Sequence, residues 1–557
     1  MRFPATVTLA TIAAACSTPA TTEQPDEPTL VIVSAGRSGR PDEPLSAITV
    51  EVRNGTGGRS PEAIEVTVAL TPRPDALHGT TRRTTNAGRA VFDDLTIDTL
   101  GGYTLRFTAP GLEPATVEFG IVTEPPAAAA TGPWLIEGVS VMPMTGGPDA
   151  ANQSVLVEQG RITAIGPRGT ITVPPGTTTI DGTGRWLTPG LVDFHTHERG
   201  FPNWPDDIPG NLIMYLANGV TTIVNMGDFT GGLLPYRAAV ASGELPGPRS
   251  IVGQIVRGPA DGGFPIVANG TQAVEVAQRA RADGYDFLKI YSQVPAAAFD
   301  ALVAAGRAEG LAVTGHSSLI SLSYAISHGQ VMVAHSSEFL RLLTGSSTAA
   351  LDAVAQQAAA AGVTVTATLY VGEVVRDYGL AAIGGRDLNE LLTAYPGAEF
   401  MDDAALLAWR GALQNRPDVR TPTDRSGTVD LVARLTGAFQ RAGVRLLLGS
   451  DDIGIPSVVP GFATTAELRS LAAALGSATA ALEAGTRNAG TFSAEHFGIA
   501  EPFGVVAVGA RADLVLHDRD PRADLSSFVT PAGVMAAGRW YPGEWLAAQL
   551  ERLRYVR

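Results

Sequence analysis

Four of the eight histidines in this chain stand at the ends of short apolar runs. His195 and His197 close "LVDFHTH", His316 closes "LAVTGHS" and His335 closes "QVMVAHS", while Asp451 ends "RLLLGSD". Imidazoles joined by a carboxylate are the donors that a borderline cation such as zinc prefers. Alternate residues of a strand share a face, so His195 and His197 turn the same way. Each residue alone has an ordinary reading. Two histidines on one strand face can be structural, a lone buried histidine usually has a hydrogen-bond partner, and Asp451 could cap a helix. Their joint placement at run ends is what points to metal. His78 and His517 read as structural, and His328 and His496 as helix-end residues.

"DFLKIYS", residues 286–292, holds the chain's single lysine, Lys289; every other basic residue is arginine. An amine shielded from water can lose its proton and react with carbon dioxide. The carbamate formed is a bidentate anion able to span two cations. Arginine, with its higher pKa and delocalised charge, cannot form it. The alternative is an ion pair with Asp286 or another carboxylate, a task arginine does equally well. The expectation is two divalent ions, preferably zinc, held by His195, His197, Lys289, His316, His335 and Asp451, with carbon dioxide consumed at Lys289.

Positioning these groups on one rim requires a particular frame. Eight strand-like runs alternate with alanine-rich helical stretches: 191–197, 221–227, 250–256, 286–292, 311–317, 330–336, 364–370 and 445–451. Such alternation predicts parallel βαβ units closed into a (β/α)8 TIM barrel, whose C-terminal strand ends carry the site. Between the last two runs lie about 75 residues, more than a crossover needs; with Tyr378, Phe400 and Trp409 they read as a helical lid. Arg257, Tyr291 and Tyr370 fall near the rim by register. Arg257 is suited to a substrate carboxylate, or to a salt bridge, and the tyrosines to substrate contact or packing.

Upstream, residues 28–123 alternate apolar and polar positions in short runs between turn residues, the texture of a β-sandwich. Residues 1–16 have an apolar stretch behind Arg2 and end in the only cysteine, Cys16, the layout of an export signal. It resembles a bacterial lipoprotein signal, with Cys16 as the lipidation site; the alternative is a cleaved signal with an incidental cysteine. Residues 17–27 read as a flexible tether and 124–133 as a linker. The formal net charge of −15 gives no electrostatic reason to bind nucleic acid or anionic lipid. Membrane association is expected only through the N-terminal anchor, and localisation in the periplasm or at the cell surface.

Two resemblances sharpen these readings. Residues 28–123 resemble the immunoglobulin-like repeats of bacterial surface proteins, which implies a spacer or surface-contact module. "LTPGLVDFHTH", "DFLKIY", "GLAVTGHS", "VMVAHSS", "LLLGSD" and "ALEAGTRNAGTF…GVVAVGARADLVLHDRDP" together resemble the metal-dependent amidohydrolase superfamily, in its prolidase-like and imidazolonepropionase-like branch. That resemblance spans 134–541. It implies a barrel at about 187–495, flanked by a small β-sandwich from 134–186 and 502–541, with 542–557 a C-terminal helix or tail. It further implies that His195 and His197 bind the more buried metal, His316 and His335 the second, with Lys289 bridging and Asp451 acting as ligand and proton shuttle. "VAHSS" departs from the usual acidic–histidine pair and "NMGD" from an arginine–aspartate pair, neither at a ligand. The resulting expectation is an exported hydrolase cleaving an amide-type C–N bond of a dipeptide, N-acyl amino acid or cyclic amide with a metal-bridging hydroxide. Lactone or phosphoester hydrolysis with the same metals is one alternative. A surface binding protein with a retired barrel is another.

Overall fold

Eight parallel strands follow one another in chain order, each paired with the next: β1 (Leu191–Thr196), β2 (Val220–Asp228), β3 (Arg249–Arg257), β4 (Phe287–Ser292), β5 (Ala312–Gly315), β6 (Met332–Val333), β7 (Thr364–Thr366) and β8 (Leu446–Leu447). This is a computed structural model. It describes residues 28–553 except 35–37, 40, 46, 55–58, 72, 100, 122–131, 199–207, 229–231, 261–264, 318 and 402. Cys16, the signal-like segment, the tether and most of the linker therefore lie outside the described residues. The sheet returns on itself. Phe194 N–H donates to Leu448 O at 2.8 Å, Asp451 N–H donates to His195 O at 2.7 Å, and a parallel bridge joins Thr196 to Asp452. The expected (β/α)8 barrel is what forms.

The local reasons are visible in single elements. β1 and β2 are buried at every position, as strands of a parallel sheet covered on both faces must be. The helix Gly270–Asp283 starts where the Asn269 side chain accepts from Gln272 N–H, and stops at Gly284 in the left-handed region; it buries Ala273, Ala277 and Ala280. The later strands are shorter than their apolar runs. Gly315 (φ 109°) closes β5, while β7 ends at Thr366 and β8 at Leu447, before the left-handed residues Thr368 (φ 50°) and Asp451 (φ 58°).

The long insertion after β7 is helical: Leu369–Ile383, Leu388–Ala394, Asp403–Gln414, Pro417–Arg420 and Ser426–Ala442. Tyr378, Phe400 and Trp409 are buried there in a core shared with Ile213, Met214, Val459 and Phe462 of the barrel domain. They are packing residues. One eight-stranded sheet beside the barrel draws Trp134–Val141, Ala150–Glu158, Arg161–Pro167, Thr178–Asp181 and Trp186–Pro189 from one end of the domain. It takes Leu514–His517, Gly533–Ala536 and Arg539–Pro542 from the other. The helix Gly543–Leu553 follows.

The N-terminal region is all β, with a three-stranded and a five-stranded sheet. They share a core of Ile48, Val50, Val66, Leu70, Leu105 and Phe107, where Phe92 meets Phe107 edge to face at 5.2 Å.

Candidate active site

β1 carries His195, His197 follows one residue past its end, and the chain beyond β8 brings Asp451 to meet them. His195 Nε2 lies 3.2 Å from His197 Nε2, and both lie 3.1 Å from Asp451 Oδ1. Donors about 2 Å from a tetrahedral zinc stand about 3.3 Å apart, so this triangle fits a cation. His195, His335 and Asp451 likewise offer ligand atoms within 4.8 Å of one another. Burial depresses the His197 imidazole to about 4 and His335 well below its usual value. Burial alone would raise the Asp451 carboxyl, but the His195 and His197 imidazoles hold it well below the ordinary carboxylate range. Neutral imidazoles and an ionised carboxylate are the states that metal binding requires.

The geometry is held from behind. Asp193, two residues before His195 on the same strand face, accepts from His195 N–H (3.1 Å), Ser450 N–H (3.0 Å) and Thr464 Oγ1 (2.6 Å), tying β1 to the Asp451 loop. Gly449 passes so close that a Cβ there would lie 2.8 Å from His195 Cβ. Asp452 turns away and accepts from the Tyr215 hydroxyl at 2.8 and 2.9 Å.

Lys289 on β4 is 1% exposed. The alternative partner, Asp286, is taken: its carboxylate accepts from Arg237 at 3.0 Å and Val252 N–H at 2.8 Å. Among the described residues no carboxylate forms an ion pair with Lys289, and its ammonium nitrogen sits 5.0 Å from the Tyr291 ring centre. Desolvation lowers this amine to about 8, partly opposed by the charges of Asp451 and Glu338. The lysine in turn depresses His197 on one side and His316 on the other, in each case after burial.

His316 and His335, just beyond β5 and β6, stack at 5.0 Å between ring centres. Glu338 Oε1 lies 3.3 Å from His316 Nδ1, and Thr368 Oγ1 lies 2.7 Å from His335 Nδ1. Burial would raise the Glu338 carboxyl, but His316, Arg341 and His335 bring it down to about 2. Glu338, Thr368 and Asp193 were not singled out in the sequence. The spacing of Asp193 from the two histidines was a usable signal, as was the position of Glu338 three residues after His335. Nothing in the sequence marks Thr368.

The rim residues divide. Tyr291 is half-buried, with its ring 5.8 Å from that of His316 and 4.9 Å from the Arg257 guanidinium carbon. Tyr370 does not lie on β7: it is in the first turn of helix Leu369–Ile383, where its N–H donates to Glu467 at 2.6 Å. The register argument for it fails because Thr368 has already left the strand. Of the other histidines, His328 ends a helix with Nδ1 2.9 Å from Tyr324 O, and His517 is buried between Thr188 and Ser527.

A (β/α)8 barrel with histidines and an aspartate converging at its strand ends defines a metal-dependent hydrolase class. Residues 186–541 match the amidohydrolase family, and the chain belongs to that family, whose members hydrolyse carbon–nitrogen bonds. It is 37% identical over 119 residues to 5-methylthioadenosine/S-adenosylhomocysteine deaminase of Desulforudis audaxviator (strain MP104C), covering 20% of this chain and 26% of that protein. It is 31% identical over 127 residues to N-acyl-D-aspartate deacylase of Alcaligenes xylosoxydans xylosoxydans, covering 23% of each. The chain thus spans about a quarter of the length of these curated relatives. Among solved structures, bottromycin amidohydrolase superposes with a TM-score of 0.57 at 26% identity, covering 75% of this chain and 89% of that one.

Proposed function

We propose that this chain is an exported metal-dependent hydrolase cleaving an amide-type C–N bond in a small molecule: a dipeptide, an N-acyl amino acid or a cyclic amide. The observation that carries the reading is Lys289, buried with no carboxylate ion-paired to it among the described residues and acting electrostatically on His197 and His316 on its two sides. Its neutral amine would attack carbon dioxide, forming an N–C bond and releasing a proton, and the resulting carbamate would join the histidines and Asp451 as an anionic donor. His195, His197 and Asp451 would hold the first cation, and His316 and His335 the second. Two divalent ions, preferably zinc, would supply an acidified water and a polarised carbonyl. Asp451 would take the proton of the attacking water and return it to the leaving nitrogen. Arg257 and Tyr291, adjacent at the rim, suit a substrate carboxylate. The N-acyl amino acid named for the deacylase relative has such a group.

The test is metal content by elemental analysis of the full chain, prepared with zinc and bicarbonate. Two zinc ions per chain are expected, with loss of zinc and of activity together in Lys289→Ala and no recovery in Lys289→Arg. One zinc, indifferent to Lys289→Ala, would remove the carbamate. A parallel panel of amides, lactones and phosphotriesters separates leaving groups, and preference for a lactone or phosphoester would overturn the amide assignment.

A further inference from the structure

The helix Leu369–Ile383 opens the long insertion after β7, and its first turn is capped from outside. Its N-cap residue is Thr368, with left-handed backbone (φ 50°) and no cap hydrogen bond from its own side chain. A threonine in that position ordinarily accepts from an N–H of the first turn. Here its hydroxyl is engaged elsewhere, 2.7 Å from His335 Nδ1 and 2.8 Å from Ala367 O. The N–H groups of the helix end then need another acceptor. Glu467 supplies it: Oε2 accepts from Tyr370 N–H at 2.6 Å, and the Leu369 N–H acts on the same carboxyl.

Glu467 comes from a distant segment, the helix Phe462–Leu475 that follows β8, and is fully buried. Burial raises its carboxyl well above the usual range, and Oε1 has no hydrogen-bond partner among the described residues. An apolar side chain would fill the same space without that desolvation, so the contribution of this carboxyl lies in what Oε2 holds. Three residues earlier, on the same helix face, Thr464 donates to Asp193 Oδ2 at 2.6 Å, and Asp193 accepts from His195 N–H and Ser450 N–H. One helix thus reaches behind His195 through Thr464 and behind His335 through Glu467.

We infer that Glu467 is a positioning residue for His335: it caps helix Leu369–Ile383 in place of Thr368 and leaves the Thr368 hydroxyl to fix the His335 ring. Its bearing on metal binding rests on His335 being a ligand, as proposed above.

The test uses the full chain without metal and two readouts: hydrogen exchange of the Leu369 and Tyr370 amides, and the nitrogen-15 resonances of the His335 ring. Glu467→Ala should speed that exchange about fivefold, the factor that a lost cap hydrogen bond gives. It should also shift the His335 resonances while those of His517 stay as in wild type. Glu467→Gln keeps an acceptor oxygen and should restore both. Thr368→Val removes the hydroxyl and should shift His335 without speeding the exchange; added to it, Glu467→Ala should shift His335 no further. Wild-type exchange in Glu467→Ala, or faster exchange with His335 unmoved, would overturn the assignment. Chelator competition on the zinc-loaded chain should then find zinc held about tenfold more weakly in Glu467→Ala. Zinc absent from wild type, or indifferent to Glu467→Ala, would count against His335 as a ligand, and the metal-free readouts would still decide the role of Glu467.

Discussion

Asp451 combines two demands in one side chain. As the proposed ligand it must be ionised, and as the proposed shuttle it must take up a proton during the reaction and give it back. Its left-handed backbone (φ 58°) is a strained conformation for a residue with a side chain, of order 1–3 kcal/mol, retained here where the loop meets β1. Asp451→Asn keeps the shape and one oxygen but removes the base. Turnover should fall about 10²–10⁴-fold while zinc content, measured on the same preparation, falls much less; normal turnover would take the shuttle role away. At this scale the meeting of His195, His197, His335 and Asp451 was legible because rare residue types stand at the ends of apolar runs, and this chain has few histidines and one lysine to distribute. Asp193, Glu338 and Thr368 were not, because aspartate, glutamate and threonine are common and their value depends on contacts between segments distant in sequence. Tyr370 shows the reverse failure. Its register was counted along a strand that had already ended at Thr366, ahead of a helix that starts at Leu369.

Among the elements, the sheet beside the barrel has a titratable group at its centre. His517 lies on Leu514–His517, fully buried, with Nε2 3.0 Å from Thr188 Oγ1 and Nδ1 3.4 Å from Ser527 O. Desolvation lowers its pKa from 6.5 to about 4. The unfolded chain therefore binds a proton between pH 4 and 6.5 that the folded chain refuses, so stability rises with pH across this window. The contribution is complete above pH 6.5 and lost as pH falls toward 4, on the order of 3 kcal/mol in full. His517→Gln keeps polar partners for Thr188 and Ser527 without the titration. Urea midpoints at pH 4.5, 5.5 and 7 should fall less steeply toward acid in the variant, and parallel slopes would show that other groups set the acid limit. The barrel itself was readable from eight apolar runs. The exact ends of β5 to β8 were not, since a run stays apolar where the chain has already turned out of the sheet to place a histidine or an aspartate.

For the whole molecule the question is what the N-terminal sandwich contributes to a site it does not build. All the proposed ligands lie between 195 and 451, and the sandwich has a core of its own. Its strands Gly101–Thr108 and Ala115–Ile121 nevertheless approach the helix Ile208–Ala217, with Cα atoms within 8 Å. That helix supplies Tyr215, the partner of Asp452. Removing residues 1–130 should leave kcat/KM and zinc content unchanged, with a stability loss on the order of 1 kcal/mol from uncovering part of the helix. The full-length chain is expected to sediment with membranes and incorporate labelled palmitate, and Cys16→Ser to do neither. An active, soluble truncation would make the sandwich a spacer that holds a complete hydrolase away from the lipid anchor proposed at Cys16. An inactive one that still folds and binds zinc would mean that contact with Ile208–Ala217 passes through Tyr215 and Asp452 to the loop bearing Asp451, and the sandwich would then be part of the enzyme.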